Sequence, residues 1–189
     1  IKKERESIKS FWANLEPLIR IHLMENILIR FEENKKQLAR CIMFDSSKHI
    51  KDARTEVQRT IKFLREEIKI YKQILKEDDE VEEKDGVIIK KIRTPIGSVD
   101  AMGSNNYVFN EGIMMGLQSL LIGNVILYKV PRNGQTTSLI ASGIIQDELN
   151  KLHPQGWAAF GVIFGSGRKL IPPMAEETPI EQSHCKKRK

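Results

Sequence analysis

The feature that most constrains the fold is a glycine-free stretch: residues 3–76 contain no glycine and a single proline, Pro17. Apolar residues there recur at three- and four-residue steps, the period of a helix with one apolar stripe. The two stripes are formed by Phe11, Leu15, Leu18, Ile19, Leu23, Ile27 and Phe31, and by Val57, Ile61, Leu64, Ile68, Tyr71 and Leu75. We predict helices broken at Pro17, which suits a first helical turn, and at residues 45–47 (Asp-Ser-Ser), which can cap free amides. These breaks favour helices packed within one domain over a coiled coil or a partner-binding face.

After this stretch the periodicity becomes strand-like. Residues 77–86 are acidic and end in Asp-Gly, which predicts a turn. The apolar runs at 87–92 and 96–102 predict a hairpin or ribbon. The next segments predict a buried helix at 114–121 and a buried strand at 125–128. They are followed by a predicted amphipathic helix at 137–150 and a second buried strand at 158–164. This order predicts an α/β fold, in which a helical layer and a β-hairpin precede a parallel sheet with crossover helices.

The charge of the chain is concentrated at its end. The formal net charge is +6, but residues 186–189 (KKRK) carry four of these positive charges. The body is therefore nearly balanced, and a basic face for nucleic acid is not indicated. Residues 172–189, rich first in Pro, Glu and Thr and then in cations, are predicted to form a disordered basic tail. A weaker hypothesis makes residues 186–189 a nucleic-acid contact, which salt would weaken.

The cysteines, histidines and apolar runs exclude several classes of protein. Only Cys41 and Cys185 are present, without a C-x-x-C pair, a disulfide framework or a secretory leader, so we expect a reducing compartment, the cytoplasm. The apolar stretch 112–128 is interrupted by polar residues and is not expected to span a membrane. The histidines show no metal-ligand spacing, and no metal site is predicted; they are His22, His49, His153 and His184.

A glycine-rich turn directly follows the last predicted strand. Gly165 and Gly167 flank Ser166, and glycines at such a point let the backbone approach a phosphate and adopt a positive φ. The common dinucleotide fingerprint would place a third glycine at position 170, which is Leu170. By itself the Gly-Ser-Gly run is therefore as typical of a plain turn as of a nucleotide site.

Several motifs in order resemble the aldehyde dehydrogenase family. Residues 94–99 (TPIGSV) resemble its Pro-hydrophobic-Gly start, residues 104–108 (SNNYV) its P-x-N-[FY]-P turn, and residues 122–129 (IGNVILYK) its A-G-N-x-x-x-x-K-P strand. Residues 48–60 (KHIKDARTEVQRT) resemble its G-K-x-x-x-D-A-x-x-E-V-x-R-T helix. The turn and the helix look most similar to the non-phosphorylating glyceraldehyde-3-phosphate dehydrogenase branch. The resemblance implies that residues 1–171 form part of an incomplete, Rossmann-like coenzyme-binding domain.

The resemblance also implies roles for individual residues. Asn106 matches the asparagine whose amide donates to the oxyanion when a thiolate attacks the aldehyde. Lys129 matches the lysine that holds the adenosine ribose, and Gly165 and Gly167 match the family's G-x-G beside the adenine end of the cofactor. Arg132 stands where NAD-preferring relatives often carry glutamate, and an arginine there pairs with a 2′-phosphate. The cofactor implied is NADP or NAD, with NADP slightly favoured.

The chain departs from the family pattern in ways that affect function. Ser104 and Val108 replace the two prolines of the turn, which leaves Asn106 less preorganised. Ile171 replaces a glycine, where its side chain would crowd the diphosphate. The general-base glutamate and nucleophilic cysteine have no counterpart here, because a flexible basic tail could not hold Cys185 against Asn106. We therefore expect no turnover by this chain alone.

Two functions remain open from the sequence. The first is part of an NAD(P)-dependent aldehyde dehydrogenase whose parent enzyme acts on a small aldehyde such as glyceraldehyde 3-phosphate. The second is a catalytically dead relic that binds a dinucleotide or a partner, either a second copy of itself or a full-length relative. The lost prolines, Ile171 and the off-pattern tail favour the second function, and the ordered motifs favour the first.

Overall fold

In a computed structural model, the structure describes residues 2–78, 81–84, 87–90 and 93–177. The first part is helical, as predicted, and comprises α1 (Lys2–Asn14), α2 (Pro17–Glu33), α3 (Lys35–Ser46) and α4 (Ile50–Asp78). Pro17 occupies the first turn of α2, where its missing N–H costs no hydrogen bond. The predicted apolar stripes are largely buried: Ile27 and Phe31 of α2 and Val57 and Leu64 of α4 are almost fully enclosed.

Residues 45–47 break the helical run as predicted, but the backbone amide that they take up lies in a distant helix. Ser46 ends α3 and its hydroxyl donates to the carbonyl of Ile42 at 2.6 Å, while Ser47 adopts the left-handed conformation with φ 55°. The Asp45 carboxylate instead accepts hydrogen bonds from the N–H and hydroxyl of Thr137, at 2.7 and 2.8 Å. A carboxylate that serves a helix distant in sequence cannot be distinguished from a local cap by spacing alone.

A hairpin is present, but its two strands are not the two segments that were predicted. Strand β1 (Val81–Lys84) pairs antiparallel with β2 (Val87–Lys90), so that Val81 lies opposite Lys90. The acidic segment 77–86 is therefore not only a turn, because α4 reaches Asp78 and β1 takes up four of its residues. Residues 96–102 do not join the hairpin. Strand β1 was missed because its sequence, Val-Glu-Glu-Lys, lacks the apolar alternation that marks a strand.

The rest of the chain forms a parallel sheet, as predicted. Strands β3 (Ser98–Met102), β4 (Val125–Lys129) and β5 (Phe160–Ile163) lie in the order β3-β4-β5 and are connected through α5 (Asn110–Leu121) and α6 (Gln135–Leu152). The mixed α/β fold with an incomplete parallel sheet is thus confirmed. The last strand begins later than predicted, because a short 3-10 helix, Gly156–Ala159, precedes it and packs closely against α6. A side chain at Gly156 would lie 2.1 Å from the Leu149 carbonyl oxygen.

Helices cover both faces of the sheet. Helix α5 approaches the face that carries Tyr128 so closely that a Cβ on Gly112 would lie 2.2 Å from the tyrosine ring. Successive side chains of a strand point to opposite faces, so Asp100 faces away from Ala101, the residue paired with Tyr128. On that opposite face Arg5 of α1, almost fully buried, pairs with Asp100 at 2.9 Å. The helical layer and the sheet therefore share one core.

The tail was predicted to begin at residue 172, but a helix continues past that point. Helix α7 (Gly167–Glu177) contains Pro172 and Pro173, and Met174 within it is buried. Both prolines lie beyond the first turn of α7, so each removes a helical hydrogen bond and its ring crowds the carbonyl four residues earlier, although its fixed φ is close to the helical value. Residues 178–189, the remainder of the predicted tail, lie outside the described residues.

Candidate functional site

The predicted site residues follow strands that end side by side. Met102, Lys129 and Ile163 occupy matching positions in β3, β4 and β5. The carboxyl ends of parallel strands meet at one edge of a sheet, and ligands of open α/β sheets bind outside that edge. Asn106 follows β3 and Arg132 follows β4, so the fold brings them to the same edge as the glycine turn after β5.

Backbone hydrogen bonds align the first residues beyond the strands. The Gly103 N–H donates to the Lys129 carbonyl at 3.0 Å, and the Val130 N–H donates to the Ile163 carbonyl at 3.0 Å. The segments that carry the candidate residues therefore leave the sheet in register. The structure places Asn106, Lys129, Arg132 and the Gly165–Gly167 turn along one edge.

Two cations lie at the carboxyl end of β4 and just beyond it. Lys129 is half-buried at the end of the strand, and Arg132 is exposed in the loop that follows. Among the residues that the structure describes, neither side chain has a carboxylate partner. Pro131 between them is buried and lies close enough to Gly103 and Gly134 that a Cβ on either would meet its ring. The loop is therefore held while its cations remain available to an anionic ligand.

Asn106 lies in the exposed loop between β3 and α5. Within the described parts of the chain, its side chain has no hydrogen-bond partner. The residues around it are anchored: the Ser104 hydroxyl accepts from the Tyr107 N–H at 3.3 Å, and the Asn105 side-chain oxygen accepts from the Asn133 N–H at 3.3 Å. Val108 is completely buried. A hydrogen bond and a buried side chain thus stand where the family has prolines, and they offset part of the lost stiffness.

A buried glutamate holds the end of this loop, and sequence reasoning assigned it no role. The Glu56 side chain is 2% exposed, and its Oε1 accepts from the N–H groups of Phe109 and Asn110 at 2.9 and 3.2 Å. Its Oε2 accepts from Lys48 at 2.6 Å. The Lys48 ammonium also lies 4.3 Å from the centre of the Tyr107 ring. We call Lys48 and Glu56 the loop clamp.

The clamp is extended by one further contact. The side-chain amide of Asn110 donates to the Thr60 hydroxyl at 3.0 Å. Glu56 lies three residues after Ala53 and four before Thr60, and all three are buried on one face of α4. That spacing was the available signal, because a glutamate at a core position of an amphipathic helix needs a buried partner. Lys48, Glu56 and Thr60 all belong to the helix motif that carried the family resemblance.

The glycine turn has its predicted backbone freedom at one position. Gly165 has φ 150°, in the range that favours glycine, and Gly167 begins α7 without a positive φ. A Cβ on Gly165 would lie 2.9 Å from Leu170 Cδ1, and a Cβ on Gly167 would lie 3.2 Å from Ile171 Cδ1. A side chain at either position would therefore press against α7, while Gly165 itself remains exposed to solvent.

The residues at this edge have the chemistry that an anionic nucleotide needs. Lys129 and Arg132 supply two cations that have no carboxylate partner among the described residues, and the Gly165 backbone is exposed. Leu170 and Ile171 occupy the space in which a side chain at Gly165 or Gly167 would lie, so both positions accept only a residue without a Cβ.

A separate cavity of about 770 Å³ lies at the opposite, amino end of the sheet. Arg20 lines it, but its guanidinium already donates to the carbonyls of Leu121, Trp12 and Leu15 and to the Tyr71 hydroxyl. An arginine with its donors in use is a poor anchor for an anion, so we do not assign the cofactor to this cavity.

Among the described residues, no group of three metal-binding side chains lies close enough to hold an ion, and no helix has the length and apolar character to cross a membrane. Cys41 is half-buried on α3, and burial, followed by the nearby Asp45 carboxylate, raises the pKa of its thiol. His184 and Cys185 lie outside the described residues.

Sequence comparison matches residues 1–182 to the family model described as "Aldehyde dehydrogenase family". A lactaldehyde dehydrogenase of Methanocaldococcus jannaschii is 29% identical over 164 residues, which cover 86% of this chain and 34% of the relative. A lactaldehyde dehydrogenase of Methanococcus aeolicus is 29% identical over 181 residues, which cover 95% and 38%. The chain therefore spans about a third of the length of these curated relatives.

Structure comparison gives the same family. The glyceraldehyde-3-phosphate dehydrogenase of Methanocaldococcus jannaschii, solved in complex with NADP, superposes with a TM-score of 0.78 and 25% identity, over 88% of this chain and 36% of that one. An aldehyde dehydrogenase of Bartonella henselae superposes with a TM-score of 0.74 and 19% identity, over 89% and 34%, and shows the shared fold alone.

Proposed function

Since this chain belongs to the aldehyde dehydrogenase family, we propose that it supplies the coenzyme cradle and the oxyanion-binding asparagine of an NAD(P)-dependent enzyme that oxidises an aldehyde. The observation that carries the proposal is the position of Asn106, Lys129, Arg132 and the glycine turn after parallel strands that end at one edge. A small phosphorylated aldehyde, glyceraldehyde 3-phosphate, is the proposed substrate of the whole enzyme, and the cytoplasm its proposed location.

Each residue has a defined task in this proposal. The Asn106 amide donates to the aldehyde oxygen as negative charge develops there, so its contribution falls on the rate more than on binding. The loop clamp positions Asn106 through the backbone of Phe109 and Asn110. Lys129 holds the adenosine ribose. When bound, the nicotinamide supplies a hydride acceptor. The family's nucleophilic cysteine and general-base glutamate have no counterpart here, so we propose no turnover by this chain alone.

Arg132 sets the cofactor preference in this proposal. Its guanidinium is exposed and has no carboxylate partner among the described residues, so it can pair with a 2′-phosphate. A carboxylate at the same position would repel that phosphate. We therefore propose NADP over NAD. The NADP complex of the Methanocaldococcus jannaschii relative is consistent with this preference.

Calorimetric titration of the 189-residue chain with NADP and with NAD tests this preference. We expect the NADP affinity to exceed the NAD affinity by at least about tenfold, the ratio that one charge-assisted pair supplies. Arg132→Glu should reverse the order, whereas Arg54→Glu, which alters an exposed arginine of α4, should leave the ratio unchanged. Equal or tighter binding of NAD to the unaltered chain would contradict the preference, and the absence of binding to either cofactor would contradict the coenzyme role.

The second candidate is a catalytically dead module that binds a dinucleotide or a partner. One observation favours it: within the described residues β5 pairs only with β4. The outer edge of β5 can therefore accept a strand from a second copy or from a full-length relative. Sedimentation of the chain alone and mixed with a full-length relative distinguishes the candidates, because a stable complex supports the module and a monomer in both samples opposes it.

A further inference from the structure

We infer that a cavity between α3 and the first turns of α4 binds a short aliphatic anion, a small molecule with a hydrocarbon chain and a negatively charged head group. The cavity has a volume of about 250 Å³, and none of the residues proposed to hold the coenzyme lines it. The inference therefore does not depend on the proposed coenzyme role.

The floor of the cavity is apolar. It is formed by Ile50, in the first turn of α4, and by Val57, two turns later. Val57 is 1% exposed and belongs to the core, whereas Ile50 is half-buried and still has surface that a ligand can cover. Pockets for drug-sized ligands have volumes of roughly 300–1,000 Å³. This smaller cavity therefore suits a short hydrocarbon chain rather than a nucleotide.

The rim of the cavity is positively charged. Lys35, Lys36 and Arg40 of α3 line it, and no carboxylate does so among the described residues. Lys35 is already paired with Glu32 at 3.3 Å. Lys36 and Arg40 are exposed, and within the described parts of the chain neither has an ion-pair or hydrogen-bond partner. Two cations beside the apolar floor are therefore available to a ligand.

These cations are placed at a cost to α3 itself. Lys36 and Arg40 lie four residues apart on the helix, where like charges repel each other. Lys35 and Lys36 also lie in the first turn of α3, which contains no acidic residue and where the helix dipole disfavours cations. Sequences break such local rules mainly at functional sites. A bound anion relieves both costs, and the apolar floor requires that this anion carry a hydrocarbon chain.

Titration of the 189-residue chain with hexanoate, followed by the NMR signals of the Ile50 and Val57 methyl groups, tests the inference. We expect these signals to shift to saturation. Hexan-1-ol has the same chain without the charge, and acetate has the charge without the chain. Both should bind at least about tenfold more weakly than hexanoate, since each lacks one of the two contacts.

Substitution of the cations completes the test. Lys36→Gln with Arg40→Gln should weaken hexanoate binding by about tenfold and leave hexan-1-ol binding unchanged. The matched control, Lys69→Gln with Lys76→Gln, makes the same change in net charge at exposed positions later in α4 and should bind hexanoate as the unaltered chain does. Circular dichroism verifies folding, and Lys36→Gln alone replaces the double variant if the latter does not fold.

Three results would overturn the inference. The first is the absence of a saturable shift at the two methyl groups. The second is equal affinity for hexanoate and hexan-1-ol, which would show that the cations do not contribute. The third is an unchanged hexanoate affinity in the folded α3 variant, or an equal loss in the α4 control, which would reduce the effect to net charge.

Discussion

Removing the buried carboxylate of the loop clamp should destabilise the chain far more than removing an exposed one. In Glu56→Ala, the N–H groups of Phe109 and Asn110 lose their acceptor, and Lys48 loses the partner 2.6 Å away. An unsatisfied buried donor costs about 1–3 kcal/mol, and breaking a buried pair on one side costs about 3–5 kcal/mol in total. Lys48 is partly exposed and can turn to water, so we expect a loss of about 3 kcal/mol in the free energy of unfolding.

One further variant separates the loss of the charge from the loss of the hydrogen-bond acceptor, and a second variant is a control. Glu56→Gln keeps an oxygen to accept the two backbone N–H groups but removes the charge, so we expect a smaller loss of about 1–2 kcal/mol. Glu66→Ala is the matched control on the same helix, because Glu66 is half exposed and pairs only with Lys69 among the described residues. Exposed pairs of this kind contribute less than about 0.5 kcal/mol.

Urea unfolding followed by circular dichroism measures all three variants, with the free energy taken by linear extrapolation. Amide hydrogen exchange adds a local readout, since the protection of the Phe109 and Asn110 amides should fall in Glu56→Ala and persist in Glu66→Ala. If Glu56→Ala were no more costly than Glu66→Ala, with both amides still protected, the clamp would not hold the loop and the reasoning from burial would be refuted.

Three other predictions follow from packing and burial. Gly112→Ala should destabilise the chain by about 1–3 kcal/mol, because its Cβ would lie 2.2 Å from the Tyr128 ring. Gly143→Ala should instead stabilise α6 by about 0.5–1 kcal/mol, because a Cβ there would meet nothing within 4 Å. The urea midpoints of the two variants measure the difference. Burial raises the pKa of Tyr128 above its ordinary value, so the unfolded chain loses this proton at a lower pH than the folded chain. The stability of the fold should therefore fall as the pH rises above the ordinary pKa of tyrosine. Tyr128→Phe should flatten this fall in urea midpoints measured from neutral to alkaline pH. Burial also raises the pKa of the Cys41 thiol, so less of it is present as the reactive thiolate near neutral pH. In Cys185→Ser, the remaining thiol should therefore react with iodoacetamide more slowly than free cysteine. A faster reaction would contradict the raised pKa.

Periodic segments were predicted well because their signal is local. The helical layer followed from the apolar stripes and the absence of glycine, and the parallel sheet followed from alternating strands and helices. The hairpin was misplaced because the β1 sequence, Val-Glu-Glu-Lys, shows no apolar alternation. The helix through Pro172 and Pro173 was missed because sequence rules treat prolines as breakers, although their φ suits a helix and Met174 is buried.

The motifs supplied the candidate residues, and the roles of these residues stay predictions. Their positions at one edge follow from the strand order in the structure. The loop clamp was not predicted, because it joins α4 to a loop 53 residues away and no local pattern shows which buried glutamate meets which backbone amide. Crowding of the diphosphate by Ile171 stays a prediction, although its side chain does lie beside Gly167.

The polar anchors of the helical layer impose an order on folding during synthesis. Trp12 donates to the carbonyl of Leu120, 108 residues away, and Asp45 accepts from Thr137, 92 residues away. A ribosome adds about 5–20 residues per second, so the first helices emerge several seconds before their partners exist. Contacts this distant also close slowly once both ends are available. Side chains of the early helices that pack on the later elements, such as Trp12, must therefore wait uncovered, although α2, α3 and α4 can already pack together. A chaperone that binds exposed apolar side chains has its opportunity in that interval.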